Sequence, residues 1–364
     1  MQRIHIPTEV TYYKRRYFMK VDYIIVGLGL AGLAFAEELI KANKTFLVFE
    51  NHSQTSSLVA CGVYNPVVLN KFTAVWNGAA QLEVAMSLYG TLEKKLNQKF
   101  DDKFLIKRVF KSIQEQNNWF TASDKPLLQQ FLNPSIETKK RPGIVGDFGF
   151  GTVNKTGRID TLKLVRAYRS YLSANNWIRF EKFEHQKVVP SSESIRYNEI
   201  ECKQVVFCEG YGITENPFFN YLPLAAAKGE LITIHAPGLN IDFLLKASVF
   251  VIPLGDELYK VGATFNHTDK TAIPTAAGKL ELEDKLKKVL DIPYQVVEQF
   301  AGIRPTTNDR RPFVGLHKEH PRLAVLNGMG TRGVLIAPTM AKALFACIEK
   351  GVSLEVSADI ARFQ

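Results

Sequence analysis

The chain has 364 residues, 46% hydrophobic and 23% charged, with a formal net charge of +10. That balance excludes a disordered or fibrous protein and leaves room for more than one core. The lysine and arginine excess is spread over short clusters such as Lys139-Lys140-Arg141, which suits anionic partners without marking a nucleic-acid footprint.

The four cysteines form no CxxC pair, and no two histidines sit at ligand spacing on one helix. No disulfide framework and no metal site are expected, and the cytoplasm is the expected compartment. Residues 1–18 read as an extension before the first strand. Arg15-Arg16 and the apolar run Tyr23 to Ala36 imitate an export leader. Three glycines interrupt that run, and it ends in Glu37-Glu38, short of the roughly 20 residues a bilayer requires. No membrane span is expected.

Val21 to Gly32 reads as a strand, a Gly-x-Gly-x-x-Gly turn and a helix, followed by a second strand from Phe46 to Glu50. Gly27 permits the tight turn, Gly29 the approach of a pyrophosphate, and Gly32 close helix–strand packing. The amides of Leu30 and Ala31 open the helix, where free N–H groups and the dipole favour phosphate. Glu50 can accept from a ribose diol, and Asn51 begins the polar loop behind it. The reading is a dinucleotide site, and Glu50 suits NAD and FAD alike.

Further along, after the polar loop to Ser57, Leu58 to Pro66 is small, apolar and loop-like. Ala79 to Leu96 has helical spacing, and Phe104–Ser112 and Asn118–Thr121 read as strands. Asp160 is placed to cap a helix carrying Leu162, Val165, Tyr168 and Leu172. A buried-type strand at Gln204–Cys208 ends near Gly210. Lys228–Ile234 is another strand, and Phe250–Leu254 with Tyr259–Thr264 is a hairpin. Leu280–Leu290 reads as a helix. The chain closes with a strand at Leu323–Leu326, a glycine-rich turn at Asn327–Gly333 and a helix to Lys350. No linker separates these segments, so two domains must be interleaved.

Five segments in order resemble the FAD-dependent D-amino-acid-oxidase-like family, which includes glycine oxidase and sarcosine oxidase. They are the Gly27/Gly29/Gly32 loop with Glu50, the stretch Ser56-Ser57 through Pro66, Val205–Gly210, Gly302-Ile303-Arg304-Pro305 through Gly315, and Asn327–Gly333. The resemblance implies an α/β fold. A Rossmann-like FAD-binding domain (19–100, 147–220 and 301–364) is interleaved with an α+β substrate domain (101–146 and 221–300) on a mostly antiparallel sheet, as in glutathione-reductase-2-like architectures. It also implies non-covalent FAD held by Gly27, Gly29, Leu30, Ala31, Gly32, Glu50, Asn51, Ser56, Ser57, Val59, Gly62, Gly210, Gly328, Met329, Gly330, Thr331, Arg332 and Gly333. A glycine-rich turn feeding a helix is suited to the pyrimidine edge of a flavin, where reduction places negative charge.

By the same resemblance Arg304 matches an arginine that clamps a substrate carboxylate, and its paired donors suit that task. A structural salt bridge from Arg304 to Asp309 is the alternative. Tyr259 is a second candidate on the substrate side, and Arg332 a candidate for substrate or flavin. The implied reaction is oxidation of a C–N bond in a small carboxylate-bearing amine. Gly328–Gly333, Ala337-Pro338, Gly262–Phe265 and Ser357–Phe363 also resemble the oxidase domain of the bifunctional tRNA wobble-uridine enzyme. That makes carboxymethylaminomethyl-uridine in tRNA an alternative substrate, although this chain lacks the methyltransferase half. An NAD-dependent dehydrogenase and a flavoprotein without turnover are the remaining readings.

Overall fold

Short runs of apolar, mostly β-branched or aromatic residues form the expected parallel strands. They are seen in a computed structural model, which describes residues 19–363; the expected extension at 1–18 lies outside the described residues. Met19–Val26 pairs in parallel with Phe46–Phe49 on one side and Ile200–Phe207 on the other. Ile178–Arg179 and Leu323–Asn327 extend the parallel core at its two sides. The register sets Val26 level with Phe49 and Phe207. The loops after these three strands therefore leave the same edge of the sheet, the place where doubly wound sheets bind ligands.

A second sheet has the strand order Gln295–Arg304, Ala227–His235, Leu258–Gly262, Phe250–Gly255, Leu244–Lys246, Ile106–Val109, Phe150–Val153, Leu132–Glu137. All its neighbours are antiparallel except Leu244–Lys246 with Ile106–Val109. The mixed α/β class and the mostly antiparallel second sheet agree with the sequence reading.

The helices Leu30–Lys41, Gly78–Leu96 and Gly333–Lys350 cover one face of the parallel sheet. The last of these is apolar enough to cross a bilayer by composition. Here it buries Val334, Leu335, Ala337, Ala341 and Leu344 and packs against the other two as a core helix. A separate apolar cluster with Ile232, Val251, Tyr259, Val261 and Leu282 lies on one face of the antiparallel sheet, beneath the helix Ala276–Leu286.

Two expectations are corrected. Asn118–Thr121 is part of a helix, Ile113–Ser123, because Ser112 accepts from Glu115 N at 3.2 Å while Glu115 Oε2 accepts from Lys111 N. This is a variant of the capping box, written in the sequence as Ser-x-x-Glu. The domain limits also move. Phe150–Val153 pairs with Ile106–Val109 in the antiparallel sheet, and a boundary at 301 would cut the strand Gln295–Arg304. Asp160 caps the helix Thr161–Ala174 as expected, accepting from Lys163 N.

Candidate active site

A cavity of about 1120 Å³ runs between the two sheets. At one end the turn after Met19–Val26 supplies Gly27, Gly29, Leu30 and Ala31. Gly27 adopts φ +92, and a Cβ there would stand 2.6 Å from Cys208 O. Gly32 does not line the cavity. A Cβ at Gly32 would overlap Gly27 O, so its part is the close helix–strand approach. Leu30 N donates to Ser57 Oγ at 3.2 Å, tying the phosphate-type loop to the segment Ser56–Val59.

Glu50 follows the second strand, Phe46–Phe49, and is buried. Its Oε2 accepts from Leu28 N at 2.6 Å and its Oε1 from His52 N at 2.7 Å, with Arg169 at 3.2 Å. The carboxylate thus holds the glycine loop against the second strand while still facing the cavity with Asn51. Ser56, Ser57, Val59, Gly62 and Gly210 line the middle. Met329, Gly330, Thr331, Arg332 and Gly333 line it where the last helix begins. Gly328 stands behind this wall, its φ +73 turning the chain beside Phe313. Arg332 is drawn in by a hydrogen bond from Nη1 to Asn65 O at 2.9 Å.

Arg304 lies at the end of Gln295–Arg304 and lines the cavity. Nη1 and Nη2 both donate to Thr264 O at 3.2 Å, and the guanidinium lies 5.1 Å from the Phe265 ring centre. Asp309 is not its partner, because Asp309 pairs with Arg362 at 3.1 Å. Among the described residues no carboxylate lies within ion-pair distance of Arg304. Burial pulls its pKa down from the ordinary arginine value, the mark of a cation held without a compensating anion.

Tyr259 is a correction. The hairpin does border the cavity, through Phe250 and Gly262. Alternation along the strand then turns Tyr259 to the opposite face, where it is buried in the apolar cluster with Ile232 and Val251. Sequence reasoning missed Phe250, Lys246 and Phe265, all on the cavity wall. The signal was the period of two: a glycine facing the cavity at 262 assigns Tyr259 away from it.

A family model described as FAD dependent oxidoreductase, DAO, matches residues 22–346. The chain belongs to the DAO family of FAD-dependent oxidoreductases. Membership decides for FAD against NAD as the dinucleotide. The chain is similar to the glycine oxidase of Bacillus subtilis (strain 168), 24% identical over 356 residues, covering 89% of this chain and 91% of that one. The crystal structure of glycine oxidase from Geobacillus kaustophilus superposes with a TM-score of 0.77 at 19% identity, covering 95% of this chain and 98% of that one. The bifunctional tRNA 5-methylaminomethyl-2-thiouridine biosynthesis protein of Azoarcus sp. (strain BH72) is 28% identical over 181 residues, 44% of this chain and 28% of that protein.

The DAO cavity fits FAD. The glycine loop with its helix N-terminus would hold the pyrophosphate, the carboxylate of Glu50 would face the ribose, and the glycine-rich turn at 328–333 would face the flavin ring. Cys61 and Cys208 also line it, and burial pushes both thiols up, which keeps them protonated at neutral pH and poor nucleophiles.

Proposed function

We propose that this DAO-family oxidoreductase oxidises the C–N bond of an amine that carries a carboxylate, with non-covalently bound FAD and Arg304 as the carboxylate clamp. The observation that carries the reading is the Arg304 guanidinium. It is partly buried on the cavity wall, shelved on Phe265, and without an anionic partner among the described residues. A paired-donor cation in that state is completed by a planar anion.

In this reaction the neutral amine loses a hydride from its α-carbon as the C=N bond forms. Water then adds to the resulting iminium and releases the carbonyl product and the free amine. FAD, when bound, supplies the two-electron acceptor. The chain's own work is to hold and orient. Arg304 fixes the carboxylate, and the backbone of Thr264 fixes Arg304. The apolar side chains of Leu231, Phe250 and Val59 crowd water from the cavity. Tyr259 has no part in it.

Anaerobic mixing of the yellow protein with glycine, sarcosine, D-amino acids and carboxymethylaminomethyl-modified tRNA tests the reading. Bleaching of the flavin by a small amine supports it. Bleaching by the modified tRNA alone favours the second reading, a tRNA-modifying oxidase, for which the Azoarcus match and the +10 charge speak. A flavin that no amine reduces overturns both. The four free cysteines suit a reducing compartment, and we read the cytoplasm as the site of action.

A further inference from the structure

A second cation stands on the same wall as Arg304. Lys246 ends the strand Leu244–Lys246 and lines the cavity together with Phe250, its cross-strand partner. Its ammonium lies 4.8 Å over the Phe250 ring and has neither an ion pair nor a hydrogen bond among the described residues. The charges around it are Arg108, Lys111 and Lys285, all positive. Arg108 is answered by Glu115 and Lys285 by Glu281. Nothing comparable answers Lys246.

The ladder shows how the two cations are related. Lys246 pairs with Phe250, Phe250 with Gly262, Gly262 with Leu231 and Leu231 with Phe300. Arg304 follows Phe300 by an even number of residues, so Lys246 and Arg304 project from one face of the sheet. Four strand spacings, on the order of 19 Å, separate their strands; their long side chains close part of that distance. The cavity is polarised as well. Its acidic side chains, Glu50, Glu181, Glu184, Glu209 and Glu215, all come from the nucleotide-binding side. The antiparallel sheet contributes two partly buried cations, Lys246 and Arg304, and no acid.

We propose that the substrate is a dianion: an amine whose carboxylate meets Arg304 and whose second acidic group, across the cavity, meets Lys246. The inference rests on the amine-oxidation reading above and adds the substrate class. A partly buried cation without an ionic partner carries a desolvation cost in the free protein, and an anion that offsets the cost binds selectively. Burial and its cationic neighbours pull Lys246 down to about 8, so the ammonium is still the main form at pH 7.

The test compares N-(carboxyalkyl)glycines of increasing spacer length with N-alkylglycines of equal length, as reductants of the flavin in the anaerobic holoenzyme. The expected result is a preference for the dianion of about tenfold or more in kcat/KM, peaking at one spacer length. Lys246→Met brings the dianion-to-monoanion ratio towards one, and Lys246→Arg retains it. The readout is a ratio, so a general loss of activity does not imitate it. A ratio near one in the unaltered enzyme, or one that survives in Lys246→Met, overturns the proposal and leaves amine oxidation standing. If neither these series nor the amines named above reduce the flavin, amine oxidation is what fails. Linear dicarboxylates of increasing length against the matching monocarboxylates as dead-end ligands, read by the flavin spectrum, then decide the dianion site: tighter binding of a dicarboxylate that Lys246→Met abolishes supports it, and equal binding at every length overturns it.

Discussion

The Arg304 guanidinium occupies the space that a side chain at Gly229 would fill. They lie on adjacent strands, Gly229 opposite Gly302, and a Cβ built on Gly229 would overlap the Arg304 guanidinium. The missing side chain is what lets the arginine lie across the neighbouring strand and reach Thr264 O.

Gly229→Ala should therefore push aside the end of a flexible side chain rather than the backbone. The expected outcome is a rise in KM of about tenfold or more with little loss of Tm, since the strand itself is unstrained. Steady-state kinetics beside thermal melting checks this. A large fall in Tm with unchanged KM would show that Gly229 serves packing alone.

Arg304→Ala should keep the yellow colour and lose kcat/KM by about a hundredfold or more, chiefly through KM, because a charge-assisted contact is removed from substrate and not from flavin. Arg304→Lys should recover only a part, lacking the paired donors. If Arg304→Ala releases FAD, the clamp assignment is wrong.

Lys246 carries a stability cost with a defined pH window. Its pKa in the folded protein is about 8, against an ordinary 10.5. The unfolded chain therefore holds more proton between those values, and stability rises with pH across them. Below about pH 8 the cost is fully present, up to roughly 3 kcal/mol. Lys246→Met should melt higher than the unaltered protein at pH 7, and the gap should narrow as the pH approaches 10. A lower melting temperature for the variant at pH 7 would mean that the ammonium has a stabilising partner in the fold.

Gly29→Val addresses the cofactor loop. A Cβ at Gly29 would stand 2.9 Å from Ser57 Oγ, the acceptor of Leu30 N–H. The larger side chain displaces that hydroxyl and fills the approach to the helix N-terminus. The purified variant should be colourless, with flavin absorbance near 450 nm lost relative to protein absorbance. A fully yellow variant would remove the loop from the FAD site.

What the amino-acid sequence determined by itself was everything that depends on neighbours along the chain. The glycine loop with Glu50, the glycine-rich turn at 328–333 and the cap at Asp160 are local patterns, and local sterics and hydrogen bonding dictate them. The capping signal at Ser112 was equally local, and the short polar run after it concealed a helix. Tertiary structure decided what depends on the facing of strands. A shift of one residue exchanges the faces of a strand, so the hairpin that borders the cavity presents Phe250 and Gly262 to it and sends Tyr259 into the core. The pairing order then brought Lys246 and Arg304 to one wall from positions far apart in the chain. Nothing in the spacing of those two residues announces the meeting, because the ladder of five strands that joins their faces exists only once the sheet has formed.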